Sequence, residues 1–251
     1  VASVEKKLTS WSRALRRAAG QSQARVEQCP DLYVDFAAER LAHAEIVWIN
    51  ERWFISQGLN AHLPDGLATA STWLNENFFF CVPCRYDDPS AFNWGRARRF
   101  LADRYGGPGL GHHGGSGRVG ITAGFQAKGI GITPLVGRLA DARHSNGAVS
   151  LEEAIREVIY SELAEGELPS GSIPVIAVIK TGTRTAWGEA RAVVVRPDFF
   201  RAGYLERAQD YLPVDEANDI HIVDARRVLR SVRLVVAVRA PTESVSKKAE
   251  K

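Results

Sequence analysis

Apolar residues follow helix-like spacing through the first hundred positions and change to short strand-like runs after Gly106. Leu8 to Arg25 predicts an amphipathic helix, with Thr9 or Ser10 as its cap. From Leu32 to Ser56 the helix-like spacing of Val34, Phe36, Ala37, Leu41 and Ile46 predicts two elements. The second of them runs Asn50 to Gln57 and is stopped by Gly58. Asn60 to Gly66 is turn-rich. Ser71 to Cys84 is so apolar and aromatic that burial is expected, with Trp73, Phe78, Phe79 and Phe80 in a core rather than on a stacking platform. Asp87-Asp88-Pro89-Ser90 predicts the start of another helix, running through Asp103.

Beyond Gly106, Arg118 to Thr122 and Gly124 to Lys128 predict a short hairpin or two edge-to-edge strands. Ser150 to Glu153 carries the capping-box pattern, so a helix is expected over Leu151 to Glu165, ended by Gly166. Its residues Leu151, Ala154, Ile155, Val158, Ile159 and Leu163 form one apolar stripe. Ile173 to Thr181 and Glu189 to Val195 are β-rich, and Val228 to Val238 is a last apolar run before a charged tail. The expected class is α+β, a small antiparallel sheet with one packed helix, preceded by a helical region. Three regions follow: 1–104 helical, 105–210 carrying the sheet, and 211–251 with a helix or strand and the tail.

Composition narrows the class. The chain has 251 residues, 45% apolar and 24% charged, with a net charge of +3, so bulk nucleic-acid binding has no support. No apolar run reaches the roughly 18 residues of a membrane span, and no apolar signal-peptide core opens the chain. Three cysteines argue against a disulfide framework, and a reducing cytoplasm is the expectation.

The candidate chemistry lies in one ordered set: a glycine-rich segment from Gly106 to Gly120, then Lys128, then Glu157. Loop amides without side chains approach phosphate oxygens closely, a lysine adds a point charge, and a glutamate at the edge of an apolar helix face needs a cation. A glycine loop, a strand lysine and a helix glutamate are the phosphate-holding parts of kinase-like folds. Cys81-Val82-Pro83-Cys84 has the thiol-oxidoreductase pattern, with inert buried thiols or a metal site with Cys29 as the other readings. His112 and His113 read as loop filler.

Five blocks in order resemble the selenoprotein O family of pseudokinase-like adenylyltransferases. They are Ile46-Val47-Trp48-Ile49-Asn50-Glu51 through Leu59, Tyr105 to Gly115, Phe125-Gln126-Ala127-Lys128-Gly129-Ile130-Gly131-Ile132-Thr133-Pro134, Ala154 to Glu162 followed by Ile173-Pro174-Val175, and Val194-Val195-Arg196 with Arg201-Ala202-Gly203. The resemblance covers about residues 45 to 205 and implies a kinase-like amino-terminal lobe binding ATP with Mg²⁺ or Mn²⁺. It implies that Lys128 contacts phosphate, that Glu157 pairs with it, and that Arg196 and Arg201 bind phosphates. Gly114, Gly115, Ser116, Gly117, Arg118 and Gly129 would complete the cradle. The implied reaction is AMP or phosphoryl transfer to a protein or peptide hydroxyl. The family's metal-binding lobe has no counterpart here, Asn218 to Asp224 being the nearest approach to its metal-binding loop, so a second polypeptide is the expected partner for catalysis, and the metal ligands are unassigned. A non-catalytic nucleotide sensor or partner-binding module, and a thiol oxidoreductase using Cys81 and Cys84, remain as alternatives.

Overall fold

In a computed structural model, residues 2–106, 114–136, 142, 145–207 and 220–239 are described. Helix α1 (Ala2–Gln28) leads into a 3-10 turn at Pro30–Leu32. Strands β1 (Tyr33–Leu41) and β2 (Glu45–Ile49) follow, then helices α2 (Glu51–Ser56) and α3 (Pro64–Phe78). Next come β3 (Phe80–Cys81), β4 (Phe92–Asp103), β5 (Val119–Thr122) and β6 (Phe125–Lys128). Helix α4 (Leu151–Glu167), β7 (Ala177–Arg184), β8 (Ala190–Pro197) and helix α5 (Ile220–Arg239) complete the order.

The strands form one antiparallel sheet in the order β2-β7-β8-β6-β5-β4-β1-β3. The α+β class is therefore correct, but the sheet has eight strands and is not small. The expected helical region 1–104 supplies four of those strands, so the sheet runs across the boundary drawn at residue 104. The stretch from Tyr33 to Leu41 is strand, not helix, because β4 pairs with it from Tyr33↔Asp103 to Leu41↔Phe92, with one register shift between Ala38 and Arg40. Pro89 and Asp88 do start a turn, with the Asp88 side chain accepting from the Ser90 amide. It is a single 3-10 turn, and Phe92 enters β4 directly. Most of β4 from Asn93 to Arg99 faces solvent, so its pairing partner rather than its pattern makes it a strand.

One sheet face carries the main core. Phe125 and Ala127 of β6, Val193 and Val195 of β8, and Ala177 and Ile179 of β7 pack against Phe54, Leu74 and Phe78 of α2 and α3. Trp73 and Phe125 meet edge to face with centroids 4.9 Å apart, and Trp53 and Phe78 pack edge-on to Phe125 at 5.8 and 6.2 Å. Phe78 to Phe80 are buried and Trp73 is half-buried against the same core, as the sequence implied. The β5–β6 hairpin turns on Ala123 and Gly124, both with positive φ. A Cβ at Gly124 would lie 2.5 Å from the Ala18 backbone of α1.

On the opposite face α4 packs on β7 and β8 through Ala154, Val158, Val178, Ala192 and Val194. Ser150 caps α4, its hydroxyl accepting from the Glu153 amide at 3.1 Å. The expected apolar stripe is only partly an inner face. Ala154 is buried and Leu151 and Val158 half-buried, whereas Ile155, Ile159 and Leu163 are exposed. The helix meets the sheet along a narrower line than the stripe is wide. Val228 to Val238 lies within α5, so the carboxyl-terminal run is helix rather than strand. The charged tail lies outside the described residues.

Candidate functional site

Alternation along β6 and β8 builds the site. With Phe125 and Ala127 turned to the core, Gln126 and Lys128 face the other way; with Val193 and Val195 inward, Val194 and Arg196 do the same. Register places Gln126 opposite Arg196, and Lys128 opposite Val194. Lys128 and Arg196 are thus diagonal neighbours beneath α4, and one carboxylate reaches both. Glu157 Oε1 accepts from Lys128 Nζ, and Glu157 Oε2 accepts from Arg196 Nη2 at 2.6 Å. All three side chains are at least three-quarters buried. Two cations on one carboxylate leave one positive charge in excess. Burial pulls the Arg196 pKa down from its ordinary value, with the nearby Arg201 guanidinium acting in the same direction and Glu157 against it. Arg196 Nε is buried and has no hydrogen-bond partner among the described residues.

A second layer fixes Arg201. Asp103, fully buried at the end of β4, accepts from Arg201 Nε at 2.8 Å, from the Tyr204 hydroxyl at 2.7 Å and from the Ser116 hydroxyl at 2.5 Å. Arg201 Nη2 also donates to Gln126 Oε1 at 3.0 Å, and its guanidinium lies over the rings of Phe199 and Tyr105. Burial works against the Arg201 charge, but Asp103, Tyr204 and Tyr105 outweigh it and hold the pKa up. Gln126 donates in turn to Asp198 at 3.1 Å, and Asp198 receives Arg25 at 2.9 Å and Ser22 at 3.0 Å from α1. Burial raises the Asp198 carboxyl above its usual range despite these donors. Asp103, Asp198 and Tyr204 carry no motif of their own, and Gln126, though inside the Phe125 to Pro134 block, is given no role by it; only tertiary contacts reveal them. The one available signal was that Gln126 alternates with the core residues Phe125 and Ala127.

Lys128, Glu157, Arg196 and Arg201 therefore converge. Of the glycine segment, residues 107–113 lie outside the described residues, and Gly115 to Gly117 are packed. A Cβ at Gly115 would lie 2.5 Å from the Asp103 carbonyl, Ser116 is buried with its amide donated to that carbonyl at 2.9 Å, and Gly117 packs on Val136. The Gly129 amide is likewise spent on the Arg118 carbonyl at 2.8 Å. The Ser116 and Gly129 amides, two of those expected to line a cradle, are thus spent within the fold, and Ser116 supports Asp103. Arg118 pairs with Glu153 at 3.1 Å, one helical turn before Glu157, and Gly114 is buried beside the same segment. His112, His113, Asn218 and Asp219 lie outside the described residues. Asp224 is buried and paired with Arg227 at 2.7 Å and Arg207 at 2.8 Å.

The thiols are free. Cys81 is fully buried and Cys84 half-buried, and burial pushes the Cys81 thiol above its ordinary pKa. Among the described residues no group of three or more histidine, cysteine, aspartate or glutamate side chains is placed to hold a metal ion. Nor is any helix among them long and apolar enough to cross a membrane. No protein-family model matches this chain, and no curated protein matches it.

Proposed function

We propose that this chain is the phosphate-binding part of a selenoprotein-O-like, kinase-lobe nucleotide site, and that it takes ATP. The observation that carries the reading is the Glu157 carboxylate joined to both Lys128 and Arg196. A strand lysine held by a helix glutamate orients an ammonium toward phosphate in kinase-type sites. Here the arrangement also holds a guanidinium whose Nε is buried without a partner. A phosphate oxygen is the ligand best matched to such a donor. Strand order supports the same reading, because β6 with Lys128 lies beside β8 with Arg196, and α4 packs on β8 and β7.

In this reading Lys128 and Arg196 neutralise phosphate oxygens, and Arg201, braced by Asp103, takes a further one. Glu157 keeps the two cations apart and aimed. In AMP transfer an acceptor hydroxyl oxygen bonds to the α-phosphorus, the bond to the pyrophosphate oxygen breaks, the hydroxyl proton passes to solvent, and pyrophosphate leaves. The described residues do not fit a Mg²⁺ or Mn²⁺ site, so no step is assigned to a metal here. Metal binding then falls to a second polypeptide or to residues beyond those described. The same observation favours a second reading, a nucleotide sensor without catalysis. The protonated, enclosed Cys81 favours neither redox chemistry nor thiolate ligation.

Thermal-shift titration with ATP, with and without Mg²⁺, tests the binding. A saturable rise in melting temperature is expected, lost in Lys128→Ala and Arg196→Ala; no rise in the wild-type chain overturns the proposal. ATP labelled at the α-phosphate, run beside ATP labelled at the γ-phosphate, then separates AMP transfer, phosphoryl transfer and sensing.

A further inference from the structure

Helix α5 has two unlike faces. Its inner face is polar and anchored: Asp224, Arg227 and Ser231 are buried, and Arg227 donates to the Tyr204 carbonyl at 3.1 Å and the Glu206 carbonyl at 2.5 Å. Leu234 packs against the cluster of Cys29, Leu32 and Tyr204, and Arg230 pairs with Asp31 at 2.6 Å. Its outer face is apolar and bare. Ala225, Leu229, Val232 and Val236 follow one another at intervals of four, three and four residues, all exposed, the last three by 50%, 41% and 62%. That spacing is the seam by which one helix packs along another. Arg226 and Arg233 are exposed, each one residue beyond a seam position, so both border the seam on one side. Among the described residues neither is in an ion pair with a carboxylate.

We propose that this seam receives one helix from a second polypeptide, whose own apolar seam is bordered by glutamate or aspartate. Charge selects that occupant. A second copy of α5 would bring two more arginines and no carboxylate to neutralise Arg226 and Arg233, because the only acid described on the helix, Asp224, is held inside by Arg227 and Arg207. A lipid surface would want a wide apolar face with aromatic residues and a free polar face. Here the seam is narrow and aliphatic, and the polar face is buried in the fold. Acidic flanking residues would meet the arginines across the rim, giving specificity and a salt-dependent association. The proposal goes beyond the nucleotide reading and is separable from it, since α5 carries none of Lys128, Glu157, Arg196 or Arg201.

The test uses the full chain and two synthetic helical peptides with leucine at the seam positions. One has glutamate at the flanking positions and the other lysine, and binding is read by fluorescence anisotropy. The glutamate peptide is expected to bind about five-fold tighter or more at low salt, with the gap closing as salt is added. Leu229→Glu should abolish binding, and Arg226→Glu with Arg233→Glu should reverse the preference. Circular dichroism checks that each variant is folded. Equal binding of the two peptides, or none, overturns the proposal. So does a concentration-dependent dimer of the chain that Leu229→Glu abolishes, and so does adsorption to phosphatidylserine vesicles that the glutamate peptide cannot displace.

Discussion

The two faces of the sheet are made by the same strands, one residue out of step, and they do different work. On one face Phe125, Ala127, Val193 and Val195 close an aromatic core with Phe54, Trp73 and Phe78. On the other, Lys128 and Arg196 join Glu157 in a charged cluster, and Gln126 beside it links Arg201, held by Asp103, to Asp198. The apolar strand residues are fully buried and the charged cluster is at least three-quarters buried, and the forces differ. The apolar face gains from removal of surface from water and is indifferent to the angle of each contact. The polar face has to repay desolvation with donors and acceptors that match, and it leaves Arg196 Nε unmatched. The proposed anion site lies on the second face, where charge is held and left over.

Substitutions on the two faces sharpen the contrast. Phe125→Ala should remove about 3–5 kcal/mol of stability in urea unfolding, since it empties the centre of the aromatic cluster. A loss under about 1 kcal/mol would mean that this face is loosely packed. Asp103→Ala should cost about 2–4 kcal/mol, because it strands Arg201, Tyr204 and Ser116 together; the partial exposure of Arg201 keeps the figure below that of a fully buried pair. An unchanged midpoint would show that the polar face does not brace the fold.

Lys128→Ala should change stability by no more than about 1 kcal/mol, yet weaken ATP binding by roughly 10- to 100-fold. The reverse pattern, stability lost with affinity retained, would make the contact with Glu157 a structural ion pair. Ser150→Ala should cost about 1 kcal/mol by removing the cap of α4, and ATP affinity should fall only modestly, if the helix frays above Glu157.

The smallest effect is one of pH. Burial pushes the phenols of Tyr33, Tyr105 and Tyr204 above their ordinary value, so the folded state keeps protons that the unfolded chain releases. Their contribution to stability is complete below the ordinary phenol pKa of about 10 and is lost as pH rises through the folded values. Tyrosinate absorbance should therefore show these three of the six tyrosines ionising only as the protein unfolds. All six titrating together with the fold intact would contradict the enclosed polar face.

Local chemistry made part of this legible. Ser150, the α4 helix and the β5–β6 hairpin follow from capping, periodicity and a two-residue turn. The contact of Lys128 with Glu157 could be anticipated because a carboxylate beside an apolar stripe needs a cation. By contrast β1 and β4 look helical or featureless. Their pairing with each other decides them, and a register shift between Ala38 and Arg40 blurs the alternation in β1.

The sequence by itself determined which residues carry charge into the sheet, where α4 begins, and that Lys128 and Glu157 belong together. Only the tertiary structure decided that Arg196 shares the same carboxylate, that Asp103 holds Arg201, and that Gly115 to Gly117 pack against Asp103 and Val136. The reason is distance along the chain. Capping and alternation act within a few residues, whereas Asp103 meets Arg201 98 residues away, through the pairing of strands that no local pattern encodes.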